Sequence, residues 1–297
     1  RQREPDAESE SGGAAEKNIS GANYQIQCDH CFNPSGSVYL SFCAEILCKR
    51  CYDRCNQRLN IFGKERKDTE MEIFLDTADA EEIRRCKEIY PLAGITTNPS
   101  ILAKEKRRFS EQMELVKDAA SGLPLHVQVT GDTAQALLAE AEAIAEAFGK
   151  NTYIKIPVNR EGIKAIKELK RKGFVITATA IYTREQAFLA GMAGADYAAV
   201  YYNRMQNLSI DSRQVTADIV SLYRMHGMET RVLAASFKNC GQVLEAVLAG
   251  AQSVTLPAAV LDSMVDNALI DKAVSDFKKD WTKINGEKRI DEVLTQY

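Results

Sequence analysis

Short apolar runs alternate with helical patterns from Met71 onward, and this alternation limits the fold more than any other feature of the chain. The candidate strands are Glu72–Asp76, Gly94–Thr97, Leu125–Thr130, Thr152–Val158, Phe174–Ala180, Tyr197–Tyr202, Arg231–Ser236 and Ser253–Leu256. Helix starts and stops lie between them. Asn98-Pro99 offers a cap followed by proline at the first helical position. Thr183 and Gln186 fit a capping box, and Thr133 precedes an Ala/Leu/Glu run that ends at Gly149. Lys170-Arg171-Lys172-Gly173 closes another helix with basic residues and a glycine, as the helix dipole favours. Ala190-Gly191-Met192-Ala193-Gly194-Ala195-Asp196 and Ala246-Val247-Leu248-Ala249-Gly250-Ala251-Gln252 resemble each other, and each leads from a helix into a strand. Eight such alternations over about 190 residues predict an α/β protein of the (β/α)8 (TIM) barrel type. A doubly wound open sheet is the rival, but no Gly-x-Gly-x-x-Gly turn follows the first strand.

The barrel accounts for residues 71–297, including a C-terminal helix, and the rest of the chain differs in kind. Residues 1–25 are Glu, Ser, Gly and Ala with little to bury, so they read as a disordered segment. Residues 26–57 form a Cys-rich module, and residues 58–70 a charged linker. Of 8 cysteines, all but Cys86 and Cys240 fall between Cys28 and Cys55. Cys28-x2-Cys31 and Cys48-x2-Cys51 have the four-thiolate spacing of a structural zinc site, with Cys43, Cys55 and His30 as further candidate ligands. A disulfide-bonded segment and an iron–sulfur site are the alternatives. The extra cysteines loosely resemble cross-brace modules such as the B-box, without the histidines expected there.

Bulk properties exclude several classes. A net charge of −3 gives no electrostatic case for nucleic acid or a membrane surface. No run approaches the ~20 apolar residues of a spanning helix. Arg1 to Asn23 lack the apolar core of a signal peptide, so a cytoplasmic location is expected.

Lys155 stands alone in the apolar run Tyr153-Ile154-Lys155-Ile156-Pro157-Val158. A charged amine there costs several kcal/mol unless it is paired or neutralised. Held neutral, it is a nucleophile suited to forming a Schiff base with a carbonyl substrate. The plain alternative is a strand-end lysine that reaches out to water. Strand alternation places Tyr153 and Lys155 on the inner face and Ile154, Ile156 and Val158 on the helix-covered face. Polar residues gather at the other strand ends too: Asp76, Thr96 with Asn98, Gln128, Thr179, Tyr201 with Arg204, and Ser236 with Lys238. Barrel enzymes build their sites at that rim. An imine-forming lysine needs a group to move a proton at the substrate hydroxyl, for which Tyr201 is the candidate. Asp76, Asn98 and Gln128 suit the orientation of hydroxyls. Arg204, Ser236 and Lys238 suit a phosphate. No catalytic cofactor is required by this chemistry.

Five segments carry a family likeness: Met71-Glu72-Ile73-Phe74-Leu75-Asp76-Thr77, Pro91-Leu92-Ala93-Gly94-Ile95-Thr96-Thr97-Asn98-Pro99-Ser100, Ile154-Lys155-Ile156-Pro157-Val158, Tyr201-Tyr202-Asn203-Arg204 and Val232-Leu233-Ala234-Ala235-Ser236-Phe237-Lys238. With them, residues 71 to about 285 resemble the fructose-6-phosphate aldolases, the small class I aldolases of the transaldolase family. The resemblance implies that Lys155 is the Schiff-base lysine, that Asp76, Thr96 and Asn98 line the donor site, and that Arg204 and Ser236 hold the phosphate. It implies cleavage of a sugar phosphate, with transaldolase activity as the alternative. Transaldolases carry a glutamate and a phenylalanine where this chain has Gln128 and Tyr201, the aldolase-like pair. Thr130-Gly131-Asp132 departs from the familiar aldolase loop. A homo-oligomer, a ring of five paired into ten, is also implied, with the apolar stripe of residues 268–281 docking on a neighbour or folding back on its own barrel. A different class of reading makes the barrel a scaffold for a zinc-dependent binding module.

Overall fold

The computed structural model describes residues 71–149 and 151–295. The expected disordered segment, the expected zinc site of Cys28, Cys31, Cys48 and Cys51, and the expected linker lie outside the described residues. Eight parallel strands close into a barrel in sequence order. They are β1 (Glu72–Asp76), β2 (Gly94–Thr96), β3 (Leu125–Gln128), β4 (Thr152–Pro157), β5 (Ile176–Ile181), β6 (Tyr197–Tyr201), β7 (Arg231–Ala235) and β8 (Ser253–Leu256). Closure is made by β1 against β8, with Phe74 opposite Thr255. The helices are α1 (Ala80–Ile89), α2 (Pro99–Leu102), α3 (Phe109–Ala120), α4 (Ala134–Phe148), α5 (Arg160–Arg171), α6 (Arg184–Met192), α7 (Tyr202–Asn207), α8 (Ser212–Met225), α9 (Cys240–Leu248), α10 (Ala258–Asp262), α11 (Ala268–Asn285) and α12 (Ile290–Leu294). The expected strands are all present, but most end a residue or two earlier than the apolar runs do. Just past the strand ends, Thr97 and Val158 still donate their N–H groups to His126 and Thr179 on the neighbouring strands.

Local chemistry explains why the helices begin and end where they do. Asn98, Thr133, Asn159 and Asn239 each accept a backbone N–H in the first turn of the helix that follows. Thr183 and Gln186 form the expected capping box. The two look-alike stretches end α6 and α9 in the same way. Gly194 and Gly250 adopt positive φ, and the next N–H reaches back to Ala190 and Ala246. Gly173 and Gly227 repeat this at α5 and α8, through Phe174 to Leu169 and Met228 to Tyr223. Four successive turns into β5, β6, β7 and β8 thus share one chain reversal.

Strand alternation divides the apolar residues into two layers. Leu75, Ile95, Val127, Ile154, Ile156, Ala178, Val200, Val232 and Val254 face the helices in one continuous core. Phe74, Tyr197, Ala199 and Leu233 form a second cluster inside the barrel, flanked by Tyr153 and Val175. His126 sits in that interior with its ring 4.7 Å from Phe74, 4.9 Å from Tyr153 and 5.4 Å from Tyr197. Below it, at the amino-terminal rim, Glu72 accepts from the Tyr197 hydroxyl and pairs with Arg231. The interior is therefore stoppered from beneath. On the outside, Asp262 of α10 accepts two bonds from Arg85 and one from Tyr90, fastening the last barrel helix to the first.

None of the residues of α11 is buried, and Leu269, Val274, Phe277 and Ile284 stay exposed. The described residues of this chain's own barrel do not cover the apolar stripe. Among the described residues no helix is long and apolar enough to cross a membrane.

Two positions test this packing. Gly162 opens α5 beneath the end of β4, where an added Cβ would lie 1.9 Å from the Pro157 carbonyl oxygen. Backbone cannot move that far cheaply, so Gly162→Ala should lower the unfolding free energy by about 3 kcal/mol in urea titrations. The second is His126. Burial first, and then the charge of Lys155, hold its imidazole well below the ordinary value of 6.5. The unfolded chain therefore takes up a proton that the folded chain refuses as the pH falls through 6.5. Stability is lost below that value, by up to about 1.4 kcal/mol per pH unit from this group. His126→Phe should flatten the pH dependence of urea-derived stability between about pH 7.5 and 5.5 relative to the wild type. Equal slopes in the two proteins would show that His126 is protonated in the folded barrel.

Candidate active site

Alternation along β4 carries Lys155 into the barrel directly above the aromatic layer. The residue is 5% exposed, and Nζ donates to the Thr97 carbonyl at 2.8 Å. Thr97 is itself fixed, because its N–H and its hydroxyl both donate to the His126 carbonyl, at 2.9 and 3.0 Å. Burial pushes the Lys155 amine below its ordinary range, while the Asp76 carboxylate acts in the opposite direction. The amine has one backbone acceptor and no salt bridge among the described residues. Those are the conditions under which a lysine can hold a free lone pair near neutral pH.

Asp76, at the end of β1, accepts a hydroxyl bond from Thr96 at 2.6 Å, and Thr96 Oγ1 lies 2.6 Å from Thr255 Oγ1. The Thr96 hydroxyl has a single proton and gives it to the carboxylate, so Thr255 is the donor in the second bond. Proton direction along Thr255, Thr96 and Asp76 is thereby set, and Asp76 is held as an oriented acceptor.

Across the mouth, the Thr179 hydroxyl donates to the Tyr201 hydroxyl at 3.2 Å. The Arg204 guanidinium carbon lies 4.6 Å from the centre of the Tyr201 ring, and Nη1 donates to the Tyr182 hydroxyl at 3.3 Å. Hydrogen bonding to Tyr182 raises the pKa of Arg204 further, so its charge is permanent. Gln128 is level with Lys155 in the β3–β4 pairing, and its buried Oε1 has no hydrogen-bond partner among the described residues. A buried amide oxygen left open at this point is ready for a water or substrate hydroxyl.

Three expected residues are less closely drawn in. The Asn98 side-chain carbonyl caps α2 through the Ile101 N–H at 3.0 Å, leaving its amide nitrogen as the group available to a ligand. Ser236 follows the end of β7 at φ 67, a strained left-handed conformation for a residue with a Cβ. Lys238 is exposed, and its backbone N–H donates to Gln242 at 2.8 Å. No hydrogen bond joins these three side chains to Lys155 or to one another among the described residues.

The structure also adds residues that the search of strand ends passes over. Thr97, Thr255 and Tyr182 join the mouth, while Thr177 lies level with Lys155 in the β4–β5 pairing and is bonded at 2.9 Å to His126, which is level with Tyr153. His126 and Thr177 share the inner parity of Gln128 and Thr179, so the alternation rule applied one step deeper finds them. Tyr182 breaks that parity and gives no such signal.

This arrangement can be compared with known proteins. Residues 73–295 match the family model described as Transaldolase/Fructose-6-phosphate aldolase. A protein of Streptococcus pneumoniae named "Probable fructose-6-phosphate aldolase" is 44% identical over 222 residues, which is 74% of this chain and 100% of that protein. A "Probable transaldolase" of Moorella thermoacetica is 39% identical over 217 residues, 73% of this chain and 100% of its own length. A "Probable transaldolase" of a Thermoanaerobacter species is 37% identical over 213 residues, 72% of this chain and 98% of its own length. The match spans the barrel from its first strand to its last helix and takes in every residue gathered around Lys155: the chain belongs to the transaldolase/fructose-6-phosphate aldolase family.

Proposed function

We propose that the barrel is a Schiff-base aldolase that reversibly cleaves fructose 6-phosphate to dihydroxyacetone and glyceraldehyde 3-phosphate. The buried amine of Lys155, bonded to a backbone carbonyl and in no salt bridge among the described residues, carries this reading. In the proposed reaction Nζ adds to the C2 carbonyl and water leaves, giving an iminium. The C4 hydroxyl loses its proton, the C3–C4 bond breaks, and its electron pair passes to the iminium nitrogen as an enamine. Glyceraldehyde 3-phosphate departs. Protonation at C3 and hydrolysis then release dihydroxyacetone and restore the amine.

The other residues take roles that their surroundings support. Tyr201, bonded to Thr179, moves the C4 proton through a water that Gln128 Oε1 accepts from. Asp76 and the Asn98 amide orient hydroxyls of the donor half. Arg204, Ser236 and Lys238 meet the phosphate. Transfer of the three-carbon unit to another sugar phosphate is the second reading, and the names of the Moorella and Thermoanaerobacter relatives favour it. A glutamine on β3 argues for free cleavage, because an amide neither gains nor loses a proton at neutral pH. We also propose that a second copy of the chain covers the exposed stripe of α11.

Borohydride reduction in the presence of fructose 6-phosphate should attach the three-carbon unit to Lys155, read by peptide mass mapping. Labelling elsewhere, or none, would remove the proposal. Because the amine is depressed below 10.5, trapping at about pH 8 should be much faster than for a surface lysine. In a second experiment Gln128→Glu should raise the ratio of transfer to erythrose 4-phosphate over dihydroxyacetone release by roughly tenfold or more. An unchanged ratio would mean that β3 does not select between the two reactions.

A further inference from the structure

The β5–β6 ladder contains an irregularity beside the mouth. Ala178 pairs with Ala198 but Ile181 pairs with Val200, so two residues stand opposite one. Ala180 absorbs the extra residue at φ 58, a β-bulge held in a conformation unfavourable for alanine. The insertion inverts the side-chain parity that follows. Ile181 turns outward into the helix-side core, where it is fully buried, and Tyr182 reaches the mouth in its place.

Once there, Tyr182 is locked and in turn locks Arg204. Its N–H donates at 2.8 Å to Gln186 Oε1, the same carboxamide that completes the capping box of α6. Its ring meets Tyr201 edge-on, with centroids 5.5 Å apart at 74°. Its hydroxyl accepts from Arg204 Nη1 at 3.3 Å while the guanidinium rests over Tyr201. Arg204 is exposed, on a helix of 6 residues, and a long side chain in such a place otherwise samples many rotamers. One aromatic face beneath and one hydroxyl beside it restrict the guanidinium to a single pose. Among the described residues only Nη1 is engaged, to Tyr182, which leaves most of its five N–H donors for an anion.

We infer that Tyr182 is a positioning residue for specificity: its hydroxyl preorganises Arg204 over Tyr201, so that sugars with a terminal phosphate are selected over those without. This rests on the proposed aldolase reading. The bulge at Ala180 is the backbone device that delivers it.

Tyr182→Phe removes the hydroxyl and keeps the ring that packs on Tyr201. The KM for fructose 6-phosphate should rise roughly five- to tenfold with kcat within about twofold. The kcat/KM for unphosphorylated fructose should stay unchanged. A second arm needs no carbon–carbon chemistry: inorganic phosphate titrated calorimetrically should bind the variant more weakly by the same factor. Equal losses on both sugars, or unaltered phosphate affinity, would overturn the inference. So would a wild-type chain that binds no phosphate. If phosphate binding behaves as expected while no ketose is trapped on Lys155, the aldolase reading falls and the role of Tyr182 in holding Arg204 stands.

Discussion

A lysine that is 5% exposed as a residue gives up much of its contact with water, and much of this barrel serves to make that tolerable for Lys155. Burying an unpaired ammonium costs several kcal/mol, whereas a neutral amine with one good acceptor costs far less. The acceptor is a backbone carbonyl, Thr97, tied down twice to the neighbouring strand. The aromatic layer of Phe74, His126, Tyr153 and Tyr197 keeps the underside dry. Asp76, the one carboxylate that favours the charged form, is already engaged by Thr96. Dryness below and restraint beside the nitrogen follow from strand order and inward parity alone.

The polar groups of the mouth are mostly committed to one another, which gives the site its rigidity. Thr255, Thr96 and Asp76 form one chain of hydroxyls ending at a carboxylate. Thr179, Tyr201, Arg204 and Tyr182 form another, built on an aromatic face. Gln128 stands apart, its oxygen buried and open. Preorganised donors and acceptors of this kind need little reorientation during reaction, and electrostatic catalysis depends on that economy of movement.

Much of this was legible before any coordinates. Eight runs of apolar residues with capped helices between them call for parallel strands with a covering helix at each crossover, and the lack of a Gly-x-Gly-x-x-Gly turn favours the closed barrel over a doubly wound sheet. The inward position of Lys155 follows from the two-residue period of β4. What escaped was whatever departs from that period or lies deeper than the rim. Tyr182 reaches the mouth through an inserted residue at Ala180, and no composition or spacing announces a bulge at an alanine. His126 looks like an ordinary strand residue until Thr177 and three aromatic rings enclose it. Asn98 reads equally as cap and as ligand, and the structure shows its side-chain oxygen taken up by the cap.

The stoppered floor described above has one more consequence. With Glu72, Tyr197 and Arg231 bonded across the cylinder underneath, a substrate on the proposed chemistry would reach the lysine from the carboxyl-terminal rim. On the proposed chemistry the ketone half of the sugar sits deepest and the phosphate half nearest the threshold, so the last part to enter is the first to go. The three-carbon remnant then waits behind an empty vestibule. Whichever visitor steps through next, a water or another aldehyde, decides between release and handover, and one architecture can house both trades.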